Sequence, residues 1–120
     1  MARTNVVAQT CPGAYPALPI TPDARDITWL GANVSDKNDT ALVAGKTLVL
    51  ARNVDSGAHT VSFTSVADSL NRKGDITTYS VGADQVALFG PFTTIGWASG
   101  GRLLFEGDNI NIEFAVITLP

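Results

Sequence analysis

Between His59 and Ser65 apolar and polar side chains alternate without a break: His59, Val61 and Phe63 fall on one side, Thr60, Ser62 and Thr64 on the other. A period of two places successive side chains on opposite faces of an extended strand. No stretch of the chain sustains the 3.6-residue apolar period of a helix packed on a core. The same β signature recurs at Asp26–Trp29, Ala41–Val43, Lys46–Arg52, Asp75–Val81, Gln85–Phe89, Arg102–Glu106 and Ile110–Leu119, with a brief pairing at Ile95–Trp97. Gly45, Asn53–Gly57, Gly82–Asp84, Ser99–Gly101 and Gly107–Asn109 supply turn residues between them. About eight short strands at close spacing predict an all-β fold, a β-sandwich of jelly-roll-like design. An immunoglobulin-like sandwich fits the same pattern but lacks its Cys…Trp…Cys hallmark. Trp29, in line with Ile27, reads as a core residue.

The N-terminal end has a different character. Four of the six prolines, Pro12, Pro16, Pro19 and Pro22, crowd into one short stretch together with Gly13. Each proline fixes its own φ and pushes the residue before it toward an extended conformation, which excludes both a regular helix and an interior strand. Residues 1–22 therefore read as an extended Pro-rich arm and residues 23–120 as one β-sandwich domain, a size that buries roughly two-thirds of the unfolded chain's surface. Tyr15, Leu18 and Ile20 place apolar side chains along the arm, and these need burial either on the arm's own domain or on a neighbour.

Charge narrows the function classes. Eight basic residues face eleven acidic ones, for a net charge of −3, and only Arg72 and Lys73 stand side by side. Nucleic-acid binding relies on a clustered basic face that displaces counterions, so no nucleic-acid partner is expected. Polybasic membrane attachment is disfavoured on the same ground, and no apolar run approaches the ~20 residues of a spanning helix. Charged residues make up 16% of the chain, against about 25% in an ordinary globular domain. That shortfall suits a surface packed against partners, or a β surface rich in Thr, Ser and Asn. Cys11 is the single cysteine, which rules out an intramolecular disulfide. No classical secretory signal opens the chain, so the sequons at Asn33 and Asn38 read as chance.

No catalytic centre emerges. His59 is the only histidine; Asp55, Ser62 and Ser65 are near it in sequence, but strand neighbours alternate faces and do not assemble a triad. One Cys and one His cannot close a zinc site. The oxygen-rich run Ser35–Thr40 lacks the spacing and glycine of an EF-hand. Glu106 and Glu113 flank the last hairpin, where they would oppose each other or Arg102. Gly96–Gly101 lacks the lysine of a phosphate loop. Neither an enzyme nor a cofactor or metal site is therefore expected. Trp97, beside glycines near a turn, leaves a carbohydrate-binding module as an alternative.

Several segments together carry a resemblance: Ala2-Arg3-Thr4 and Val6–Thr10, the Pro12–Pro16 arm, Thr64–Asp68, Arg72–Thr77, Phe89-Gly90-Pro91-Phe92, Gly96-Trp97 and the ending Phe114–Pro120. In this order they resemble small structural proteins of tailed bacteriophages, encoded near the major capsid protein and expected to decorate, or cement, the head. The resemblance implies a virion protein on the capsid exterior, assembled in the host cytoplasm, with the major capsid protein as partner and a homotrimer as assembly. It makes Tyr15, Leu18 and Ile20 candidate capsid or subunit contacts. A tail or head–tail joining protein is the structural alternative.

Overall fold

The computed structural model describes residues 2–11, 22–23 and 25–120. They form eleven strands: β1 (Thr4–Asn5), β2 (Ala8–Thr10), β3 (Leu30–Gly31), β4 (Asn38–Ala41), β5 (Thr47–Asn53), β6 (His59–Thr64), β7 (Ile76–Val81), β8 (Val86–Phe92), β9 (Ala98–Ser99), β10 (Arg102–Gly107) and β11 (Ile112–Thr118). Sheet A runs β1-β4-β10-β6-β7, with β9 also on β10; sheet B runs β2-β11-β5-β8, with β3 also on β11. The chain is thus an all-β sandwich. Its strand count exceeds the expected eight by β1, β2 and β9, pairings of two or three residues.

The alternation read in the sequence is the alternation of burial. Thr47, Val49, Ala51 and Asn53 of β5 are buried while Leu48, Leu50 and Arg52 between them are partly exposed. Val61 and Phe63 of β6 are fully buried. Phe63 lies at the centre of an aromatic group drawn from both sheets, with ring centroids 4.6 Å from Phe89, 5.4 Å from Phe92 and 5.5 Å from Phe105. Phe105 in turn meets Phe114 of the opposite sheet edge-on at 4.7 Å. Burying each such ring contributes about 2–3 kcal/mol, which is the main force holding the layers together.

Three expected elements differ. Asp26–Trp29 is not a strand; the pairing starts after it, at Leu30. Ala41–Val43 yields to Asn38–Ala41, because the side chains of Asn38 and Thr40 face inward and hold the N-terminal segment. Asn38 Nδ2 donates to the Thr4 carbonyl at 3.3 Å, and Thr40 Oγ1 donates to the Val6 carbonyl at 2.7 Å. Ile95–Trp97 belongs to a short turn, Thr94–Trp97, in which Gly96 takes a positive φ of 96°.

Those two polar side chains explain the path of the first ten residues. β1 lies parallel to β4 in sheet A, Val6 drops into the core at 2% exposure, and β2 continues parallel to β11 in sheet B. Thr4–Asn5 and Ala8–Thr10 of the stretch read as an arm are thus strands of the sandwich. Pro12–Thr21, with Tyr15, Leu18 and Ile20, lies outside the described residues.

Candidate protein-binding face

The outward residues of sheet B stand in three cross-strand rows: Gln9–Ile117–Leu48, Ala115–Leu50–Leu88, and Glu113–Arg52–Val86. Five of the nine carry aliphatic side chains larger than alanine. Sheet B is therefore apolar on both faces, as the unbroken runs Leu48–Ala51 and Phe114–Ile117 require.

Part of this face is covered by the chain itself. Gln9, pointing outward from β2, donates from Nε2 to the Asp26 carbonyl at 2.9 Å and accepts at Oε1 from the Thr28 N–H at 2.7 Å. One amide side chain thus holds the Asp26–Thr28 backbone against the sheet as a neighbouring strand would. The Trp29 ring then lies 4.3 Å from the guanidinium carbon of Arg52. Trp29 is accordingly not a core residue: it sits half-buried on the outer face. Alternation places Ile27 and Trp29 on one side of an extended segment; Trp29 packs on the exterior of sheet B, while Ile27 is exposed. Arg52 also pairs with Glu113 at 2.6 Å, so the charges in this row are mutually satisfied. Ala115 is fully buried.

Toward β8 the cover ends. Val86 is 56% and Leu88 63% exposed, next to half-buried Leu50. Segment 86–92, Val-Ala-Leu-Phe-Gly-Pro-Phe, contains no charge. Among the described residues nothing pairs with the outer edge of β8.

The acid–base candidates are committed to structure. His59 Nε2–H donates to Asp55 Oδ2 at 2.8 Å, and its Nδ1 lies 3.5 Å from Asp108 Oδ1. The sequence placed Asp55 nearby but gave no signal for Asp108, brought in by the β10–β11 turn. Hydrogen bonds from His59, the Ser56 N–H and the Asn111 side chain lower the Asp55 carboxyl to about 2. The two carboxylates face opposite ring nitrogens and do not converge on one point. Among the described residues no group of His, Cys, Asp and Glu is placed to hold a metal ion. Glu106 and Glu113 neither face each other nor meet Arg102: Glu106 pairs with Lys37 at 3.1 Å, Glu113 with Arg52, and Arg102 with Asp39 at 3.0 Å and with Asn5. In the run Ser35–Thr40, Asn38 and Thr40 are buried in backbone bonds and Asp39 holds Arg102, which leaves no set of free oxygens for calcium.

Trp97 is half-buried, edge-on to Phe92 at 5.0 Å, and lines a cleft of about 230 Å³ with Val66, Arg72, Lys73 and Ile95. Ligand pockets usually start near 300 Å³. Within that lining Arg72 is paired with Asp68, whose Oδ2 accepts from its Nε at 2.8 Å. The hydrogen bonds from Arg72 lower the Asp68 carboxyl. The Asp75 carboxyl is likewise lowered, by the hydroxyl and N–H of Ser65. Both acids staple the 65–75 loop. Among the described residues no helix is long and apolar enough to cross a membrane. Comparison with known proteins returns no matching family model, curated protein or solved structure.

Proposed function

We propose that this protein is a structural virion protein that binds the outside of a tailed-phage capsid and stabilises it, with the major capsid protein as partner. The observation that carries the reading is the outer face of sheet B: an apolar surface, largely free of unpaired charge, that ends in exposed Val86 and Leu88. A face of this kind binds protein through desolvation and shape. The resemblance supplies the identity of the partner, and a jelly-roll-like order of strands goes with it. Repeated copies on a lattice of identical subunits turn modest contacts into strong attachment.

Tyr15, Leu18 and Ile20 are proposed contacts within this reading. The residues on either side of their stretch are both held on sheet B, Cys11 by its N–H to the Thr118 carbonyl at 2.7 Å and Asp26 by Gln9. Deleting residues 1–22 would strip β1, β2 and Val6 from the sandwich, so the contacts are tested in place. The purified protein, incubated with expanded capsids of the major capsid protein encoded beside it, should co-sediment saturably with a fixed number of copies per capsid. Tyr15→Ser with Leu18→Ser and Ile20→Ser should weaken that binding by tenfold or more while leaving the melting curve in place. Absence of co-sedimentation at any concentration contradicts the reading.

A further inference from the structure

The geometry points to a second use of β8: its open edge pairs with the same edge of a second copy, antiparallel about a two-fold axis at Ala87, so that sheet B continues from one subunit into the next. The Asn53 N–H donates to the Gln85 carbonyl at 3.0 Å, and the register then runs Arg52↔Val86, Ala51↔Ala87, Leu50↔Leu88 and Val49↔Phe89. In an antiparallel ladder the residues that exchange hydrogen bonds alternate. Gln85, Ala87 and Phe89 therefore turn their N–H and C=O toward β5, while Val86 and Leu88 turn theirs outward, where no described residue meets them.

An edge like this is what soluble β proteins guard against, with charges, bulges, prolines or covering segments. From Val86 to Phe89 none of these is present; the bulge at Gly90–Pro91 comes only afterwards, between Phe89 and Phe92. A second copy brings the same uncharged run and the same spacing of outward N–H and C=O groups at Val86 and Leu88. With the axis at Ala87, Val86 of each subunit stands opposite Leu88 of the other. Each then exchanges both main-chain hydrogen bonds with its opposite number. The two exposed side chains on the outer face close against each other and extend the row Ala115–Leu50–Leu88. No charged side chain lies on the paired segment to repel the copy. The Arg52–Glu113 pairs fall at the margin, already neutralised.

The pairing is independent of what the assembled protein binds, and it is tested without capsids. Sedimentation velocity of the full chain should give a dimer, and Val86→Lys with Leu88→Lys should raise its dissociation constant at least a hundredfold. Thr77→Lys, a matched charge on exposed β7, should leave the dimer unchanged. In a Cys11→Ser background, Ala87→Cys should form a disulfide-linked dimer under mild oxidation, since Cα atoms at such a pair lie about 4.5 Å apart. A chain that stays monomeric at high concentration overturns the inference. So does a trimer, or any oligomer indifferent to the lysine pair or unable to cross-link at position 87. Capsid binding by such a chain would leave the proposed function standing.

Discussion

β7 and β8 are joined by the short turn 82–85 and each ends one of the two sheets, yet they finish their sheets in opposite ways. β7 carries Thr77, Thr78 and Ser80, and its ladder to β6 slips between Val61 and Phe63. At the slip Thr78 takes a positive φ of 48° and gives its N–H to Ser62 Oγ at 2.9 Å. A β-branched residue enters that region only against steric resistance. The strand thereby bends and its edge loses the regular row of donors and acceptors. β8 keeps a regular register for four successive residues, is uncharged, and exposes two aliphatic side chains. The contrast teaches that the fold does possess the means to close an edge. It applies them to β7 and leaves β8 with a regular, unpaired edge.

β7 is held by β6 and β8 by β5, so the comparison can be broken at several points. The largest effect is expected at Phe89, which anchors β8 by packing at a tilt on Phe63 and meeting Tyr79 of β7 edge-on at 5.3 Å. Phe89→Ala should cost about 3–4 kcal/mol in urea unfolding; a loss below 1 kcal/mol would mean that β8 is anchored elsewhere. Gly90→Ala comes next. Gly90 has a φ of 104°, and a Cβ there would stand 2.7 Å from the Thr47 carbonyl oxygen. The substitution should cost about 1–3 kcal/mol, and a neutral result would show that the bulge is slack.

A smaller effect concerns the turn between β7 and β8. There Asn53 Nδ2 donates to the Val81 carbonyl at 3.0 Å and His59 pairs with Val81 in the ladder. Asp55, bonded to His59, has a folded-state carboxyl near 2 against an ordinary 3.8. A lowered carboxyl contributes stability that is complete above the ordinary value and is lost as pH falls through 3.8 toward 2. Urea midpoints should therefore drop across that window, and Asp55→Asn should flatten the drop; an unchanged slope would remove Asp55 from the account. The smallest effect is at the β7 bulge. Thr78→Asn, which tolerates positive φ, should raise stability by about 0.5 kcal/mol, whereas a loss would show that the bulge needs threonine.

How much of this was legible follows from what periodicity can say. β5, β6, β10 and β11 appear in the sequence within a residue or two because one face of each is buried and the pattern shows it. The parallel strands β1 and β2 do not appear, because Asn38 and Thr40, more than thirty positions away, hold Thr4 and Val6, and Val116–Thr118 at the far end of the chain pairs with β2. Ile27 and Trp29 share a side, but alternation does not tell an inner face from an outer one, and Trp29 found Arg52 instead of the core. The run Val86–Phe89 shows two apolar faces without revealing that one edge stands open. Asp108 was silent as a partner of His59, since β7, β8, β9 and β10 all lie between them in the chain. The site therefore rests on pairings that no local pattern encodes.

The central claim, that β8 is the working edge and β7 the closed one, is tested most directly by amide hydrogen exchange followed residue by residue at low and high protein concentration. The account predicts that the amides of Val86 and Leu88 exchange rapidly in the dilute chain and become protected, by at least tenfold, as concentration rises, while those of Thr77 and Ser80 in β7 do not change. Protection that appears on β7, or exchange at Val86 and Leu88 that is slow at every dilution or fast at every concentration, would contradict it.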